Sequence, residues 1–264
     1  MSSTELCYRS AGELATLLRR KELSPVELMK AFLARCQALE PALNSFITLL
    51  PEQALEEARQ AEKEIRAGRW RGPLHGLPFT VKDLFAARGV RCTLGSKAFD
   101  RSISPEDSGV VARLKQAGAI LIGKANLNPL AYGAIAKEGD YDYGHMHNPW
   151  DPACVSGGSS GGCGSATAAG ECAFAIGSDT GGSVRIPSSL CGIVGLKPTY
   201  GRLSRRGLST LSWSLDHPGP MTRSVEDCAL VLNAVAGYDP RDPSSADVPV
   251  PDFTKSLGAG LKGL

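Results

Sequence analysis

In the first third of the chain, apolar residues recur at helical spacing. Leu14, Leu17 and Leu18 share a face behind Ser10 and Glu13, a pair that fits a capping box, in which serine and a glutamate three residues on satisfy each other's orphan N–H groups. Ser24, Pro25 and Glu27 open a second segment, with proline at the first helical position and Leu28, Phe32 and Cys36 on one stripe. A third helix is predicted from about Glu52 to Ala67, and Phe46–Leu50 reads as a strand between them. Beyond residue 70 the pattern shortens. Gly76–Lys82 (GLPFTVK) and Ala119–Gly123 (AILIG) are apolar runs too brief for helices and read as buried strands, separated by a helix over Ser108–Ala117 that Gly118 stops. Ser224 with Asp227 opens a last helix through Val235, ended by Gly237. Strands alternating with helices predict an α/β architecture with a largely parallel sheet.

One stretch, Val155–Thr199, concentrates glycine and serine inside otherwise apolar sequence. It holds two tight turns, Gly157–Gly162 (GGSSGG) and Asp179–Ser183 (DTGGS). A flexible linker would not contain the apolar runs Ala166–Ala169 and Cys172–Ile176 between them. Glycine lets a ligand approach the main chain closely, so these turns offer hydroxyls beside exposed N–H groups. Chemistry is expected here. Tyr132–Asp151 reads as a loop suited to substrate contacts. Its His145 and His147 have no orienting carboxylate at a fixed position, which ranks them below the serines.

The chain has 264 residues, 42% of them hydrophobic, enough for one large domain or two ordinary ones. A formal charge of +2 is too small to mark a nucleic-acid or membrane surface. No apolar run approaches a membrane span, and the opening MSSTELCYRS lacks the regions of a signal peptide, so the cytoplasm is the expected location. The 8 cysteines form no CxxC and no paired histidine spacing. They are expected to be small buried hydrophobes, with no metal, no cofactor and no disulfide framework.

Three hydrolytic readings compete. Gly157, Gly158, Ser159, Ser160 and Gly161 formally fit the GxSxG nucleophile elbow, with Asp216 and His217 as partners. An elbow needs a strand leading into it, and the preceding NPWDPACV contains two prolines. Asp179, Thr180 and Gly181 could form half of an aspartic dyad, which needs a second copy. The third reading uses both turns together with Lys82. As a lone feature, Lys82 is a snorkelling lysine at a strand end. A serine hydroxyl must lose its proton to a neighbouring base, however, and burial favours the neutral lysine that can take it.

The ordered elements GLPFTVKD, GAILIGKANL, NPWD, GGSSGG, GSDTGGSVRIPSSLCGIVGLKPTYGRLS, SLDHPGPMTRSVEDCALVLNAVAG and DPRDPSS resemble the amidase signature family over nearly all of the chain after the first helices. The resemblance implies a Ser, cis-Ser, Lys triad. Ser183 would be the nucleophile, Ser159 the bridging serine after a cis Gly158–Ser159 bond, and Lys82 the base. It implies an oxyanion hole from the N–H groups of Thr180, Gly181, Gly182 and Ser183, with Ser160 supporting Lys82 and with Asp179 and Arg185 structural or substrate-proximal. The implied reaction is hydrolysis of a small-molecule carboxylic amide to acid and ammonia or amine through an acyl-enzyme, without metal or cofactor, nucleic acid or membrane. The implied fold is a mixed, largely parallel sheet flanked by helices, with a helical region over 1–70 and a catalytic core over 71–240.

Asn126–Ala131 (NLNPLA) departs from the family's NxxEFA, and VKDL from the VKDN usual in the A-type chains of glutamyl-tRNA amidotransferases. A free-standing amidase is therefore expected ahead of an amidotransferase component. Family domains are longer, so the resemblance is to the N-terminal half or somewhat more. That leaves as alternatives an inactive truncated relative, a homo-oligomer, or a subunit completed by a partner chain.

Overall fold

The computed structural model describes residues 2–135 and 140–260. Helices α1 (Ser3–Tyr8), α2 (Ala11–Arg19) and α3 (Pro25–Leu43) precede strand β1 (Phe46–Leu49) and helix α4 (Pro51–Arg66). The Ser10–Glu13 capping box forms with both reciprocal bonds, and Ser2 with Glu5 makes another that opens α1. In α3 the Ser24 hydroxyl accepts the Val26 and Glu27 N–H groups and Pro25 occupies the first turn, as the spacing predicts. The helix ends at Asn44, a residue type that tolerates the left-handed φ of 51° found there.

Strand β2 (Pro78–Lys82), helix α5 (Gly109–Gln116) and strand β3 (Ile120–Ala125) follow, then helix α6 (Gly161–Ala169), strand β4 (Phe174–Asp179), helix α7 (Arg185–Cys191), strands β5 (Val194–Gly195) and β6 (His217–Thr222), and helix α8 (Val225–Val235). The six strands form one mixed sheet in the order β1-β3-β2-β4-β6-β5. Strand β2 lies between β3 and β4 and is parallel to both, whereas β1 and β6 run antiparallel to their neighbours. Because β5 is in turn antiparallel to β6, it runs with β2, β3 and β4. Every residue of β2, β3 and β4 is buried, which is why they read as continuous apolar runs rather than alternating ones. Phe79 and Phe174 are register partners across β2 and β4 and stack with ring centroids 5.7 Å apart.

Two elements run against local propensity. Strand β6 (HPGPMT) carries Pro218 and Pro220. The Pro220 carbonyl accepts from Leu196 N–H, so that residue, and Pro218 two positions away, direct their main-chain groups away from β4. The missing proline N–H groups thus fall on the side where only the two-residue β5 pairs, and the β4 ladder is intact. Helix α6 (GGCGSATAA) begins inside GGSSGG, where the sequence predicts a turn. Glycine is a poor helix former, yet a Cβ on Gly162 would lie 2.3 Å from the Ser45 carbonyl oxygen and 2.6 Å from main-chain atoms of Asn126. Only glycine lets α6 seat this close to the ends of β1 and β3.

Candidate active site

The parallel centre of the sheet delivers two strand ends to one place. Lys82 is the last residue of β2, and Ser178 and Asp179 close β4 beside it. The Lys82 side chain is fully buried, and Nζ donates to Ser159 Oγ at 2.6 Å and to Ser178 Oγ at 3.0 Å. Burial pushes the Lys82 ammonium down to about 7, against an opposing pull from Cys163 and from the Asp216 and Asp179 carboxylates. The lysine therefore exchanges a proton near neutral pH. The Gly158–Ser159 peptide bond is cis, as the family resemblance implies.

Ser160 plays a different part from the one expected of it. Its hydroxyl donates to the Ser178 carbonyl (3.1 Å) and accepts the Ser178 N–H (3.3 Å), while its own N–H donates to the Ser183 carbonyl (3.2 Å). It clasps the end of β4 and the DTGGS turn together and does not bond Lys82. The hydroxyl that does so besides Ser159 is Ser178, which sequence reasoning missed. Alternation along β4 from the Asp179 end was the available signal. Ser183 is half-buried on the turn, and among the described residues no side-chain hydrogen bond joins it to Ser159.

The turn itself is organised by Asp179, whose side chain is buried. Its carboxylate accepts the N–H groups of Gly182 (2.8 Å), Val184 (3.2 Å) and Arg185 (3.3 Å) and a two-pronged contact from the Arg185 guanidinium (3.0 Å from each nitrogen). Burial pushes the Asp179 carboxyl upward, but Arg185 and these N–H groups outweigh it and hold the group below its usual range. One consequence changes the expected oxyanion hole: the Gly182 N–H is already committed to Asp179. Among the described residues the N–H groups of Thr180, Gly181 and Ser183 have no acceptor.

The competing arrangements are not assembled. Asp216 accepts from the Thr180 hydroxyl and the Leu211 and Ser212 N–H groups, and His217 Nδ1 pairs with the Leu215 carbonyl (2.6 Å), so the two do not form a dyad facing Ser159. Among the described residues the segment leading directly into Ser159 holds the isolated bridge His147↔Val155 and no strand, whereas an elbow needs one. Asp179 faces Arg185 rather than a second carboxylate. His147 Nδ1 is engaged with the Pro152 carbonyl (2.7 Å), and His145 packs on Tyr141. Beside the site, Asp83 and Lys124 form a wholly buried ion pair completed by the Thr93 N–H and hydroxyl and the Arg91 carbonyl, which ties the ends of β2 and β3. All cysteines except Cys154 are buried.

The model of the Amidase family matches residues 27–264. The A-type chain of glutamyl-tRNA(Gln) amidotransferase from Methylococcus capsulatus is 50% identical over 256 residues, 97% of this chain and 52% of the relative. Among solved structures, the peptide amidase of Stenotrophomonas maltophilia superposes with a TM-score of 0.90 at 39% identity, over 95% of this chain and 53% of that one. A chain from a vestigial protein complex, described as revealing the evolutionary origins of an s-triazine catabolic enzyme, gives 0.93 at 39% identity, over 97% and 56%. The chain thus spans about half the length of the relatives it matches.

Proposed function

The chain belongs to the amidase family, and from that premise we propose that it hydrolyses a carboxylic amide through an acyl-enzyme on Ser183. The observation that carries the reading is the buried Lys82–Ser159 contact of 2.6 Å at the foot of the DTGGS turn. Neutral Lys82 accepts the Ser159 proton while Ser159 takes that of Ser183, whose oxygen then bonds to the amide carbon. The oxyanion is received by main-chain N–H groups of Thr180, Gly181 and Ser183, each such donor being worth about 3–4 kcal/mol. The C–N bond breaks as Ser159 protonates the leaving nitrogen and recovers a proton from Lys82. Water then attacks the acyl carbon by the same relay in reverse, releasing the acid and free Ser183. Asp179 and Arg185 preserve the shape of the turn, and the chemistry requires no cofactor.

A second reading is favoured by the 50% identity to an amidotransferase component. In it the same acyl-enzyme forms, and the released ammonia passes to another acceptor in an assembly. Exposed Tyr132, Trp150 and Trp213 offer apolar surface on which a partner chain could pack. This reading includes a cytoplasmic site of action. Among the described residues no helix is long and apolar enough to cross a membrane.

The test is covalent labelling of the purified chain with a fluorophosphonate probe, alongside a panel of amides that includes glutamine. Labelling of Ser183 that Ser183→Ala abolishes supports the reading. Labelling that survives in Ser183→Ala and disappears in Ser159→Ala would replace it with the elbow. Glutamine turnover that appears only with a partner present favours the amidotransferase reading.

A further inference from the structure

The DTGGS turn is anchored on two sides by two carboxylates. Asp179 gathers the N–H groups of Gly182, Val184 and Arg185 at one end. At the other end the Thr180 hydroxyl donates a short hydrogen bond to Asp216. Asp216 is only 3% exposed and also accepts from the N–H groups of Leu211 (2.9 Å) and Ser212 (3.0 Å). It directly precedes β6, whose first residue, His217, is the register partner of Asp179. The carboxylate that holds Thr180 is therefore fixed by strand pairing behind it and by two main-chain donors beside it. Between the anchors lies Gly181, with an N–H that has no acceptor among the described residues.

We propose that Asp216 is a positioning residue for acyl transfer, clamping Thr180 so that the turn presents its N–H groups and Ser183 in one geometry to the carbonyl under attack. This deepens the assignment of Ser183 as nucleophile and rests on it. Oxyanion donors accelerate a reaction because they are oriented before charge develops, so a turn tied at one end alone would lose that advantage. A carboxylate suits the clamp, since hydrogen bonds to an ionised acceptor are about twice as strong as neutral ones. Three donors also satisfy its buried charge. The charge has a second effect, because with Cys163 and the Asp179 carboxylate it acts through space on Lys82 and favours the ammonium form.

The experiment compares wild type with Asp216→Ala, Asp216→Asn, Thr180→Val, Thr180→Ser and the Asp216→Ala/Thr180→Val double variant. It reads the rate of fluorophosphonate labelling against pH, and hydrogen exchange of the 179–185 amides. Asp216→Ala and Thr180→Val should each slow labelling on the order of 10- to 100-fold, the scale of a small misplacement. The double variant should be no slower than the worse single, because both remove one contact. Thr180→Ser, which keeps the hydroxyl, should restore the rate. Asp216→Asn should move the pH midpoint downward, an effect that a purely structural role would not produce. Amide exchange over the turn should quicken in Asp216→Ala and Thr180→Val alike. Additive losses in the double variant, or wild-type exchange in both single variants, would overturn the proposal. If the wild type is not labelled at Ser183, the nucleophile assignment fails, while the exchange comparison still decides whether the clamp exists.

Discussion

Lys82 Nζ and Ser159 Oγ meet at 2.6 Å with neither side chain exposed, although 77 positions separate them in sequence. The contact exists because β2 and β4 are parallel neighbours and α6 starts directly after Ser160, so a strand end and a helix start converge. Burial there lowers the lysine to about 7, which makes it a base at neutral pH. Acylation should therefore rise with pH through roughly neutral values and level off above. Lys82→Ala should lose about 10²- to 10⁴-fold, the range for general-base help. His217→Ala should keep most of the activity. Labelling rates across pH 5 to 10 check both, and a His217 variant as crippled as the lysine variant would restore the Ser, His, Asp arrangement.

Ser178 gives a finer test of the same base. Its hydroxyl accepts from Nζ at 3.0 Å, a bond that favours the ammonium form. Removing it in Ser178→Ala should lower the pH midpoint of acylation while the plateau rate falls by less than in Lys82→Ala. An upward or unchanged midpoint would show that this hydroxyl does not bear on the base.

Much of this arrangement is legible in the sequence, and the parts that are not have physical causes. The apolar run closed by Lys82 and the two glycine turns point to the site because few other contexts put hydroxyls, glycine and a buried-strand lysine together. The resemblance to the amidase signature family then supplies the order of roles. Helix α6 is hidden because its GGCGSATAA composition argues against a helix, and what overrides propensity is tertiary: Gly162 must seat against Ser45 and Asn126. Strand β6 is hidden by its prolines, whose placement on the side away from β4 no local pattern can announce. The commitment of the Gly182 N–H to Asp179 depends on where a side chain points after folding, and so does the bond from Ser178 to Lys82.

Two glycines separate packing from chemistry. A Cβ on Gly181 would meet no atom within 4 Å, and its φ lies outside the left-handed range, so Gly181→Ala should fold as well as wild type. The new methyl would stand beside the N–H groups that receive the oxyanion, and labelling and turnover should fall at unchanged melting temperature. Gly162→Ala should do the reverse of sparing the fold. Its Cβ would be driven against main chain, and overpacking of this kind costs about 1–3 kcal/mol. Thermal unfolding with labelling of the two variants side by side checks the contrast, and a Gly181→Ala protein that is destabilised like Gly162→Ala would show that the open space is not there.

The last prediction concerns stability against pH, where two buried groups act with opposite sign. Glu171 is fully buried, and burial together with the neighbouring Glu40 raises its carboxyl to about 8. Its folded value is above the unfolded one, near 4.5, so the native state holds the extra proton between those limits and stability falls as pH rises through that window. Lys82 is the opposite case. Its folded value of about 7 is below the unfolded 10.5, so the unfolded chain holds more protons and stability rises between about pH 7 and 10.5. Each full proton difference contributes about 1.4 kcal/mol per pH unit. Glu171→Gln, which cannot ionise, should flatten the fall on the acid side and leave labelling of Ser183 intact. Lys82→Met should flatten the rise on the alkaline side, stabilise the fold at pH 7 and abolish labelling. Urea unfolding of wild type and both variants at pH 5, 7 and 9 measures these slopes. If Glu171→Gln keeps the wild-type slope between pH 5 and 7, the extra proton of the native state is not on Glu171, and if Lys82→Met is less stable than wild type at pH 7, the lysine is not held neutral at a cost to the fold.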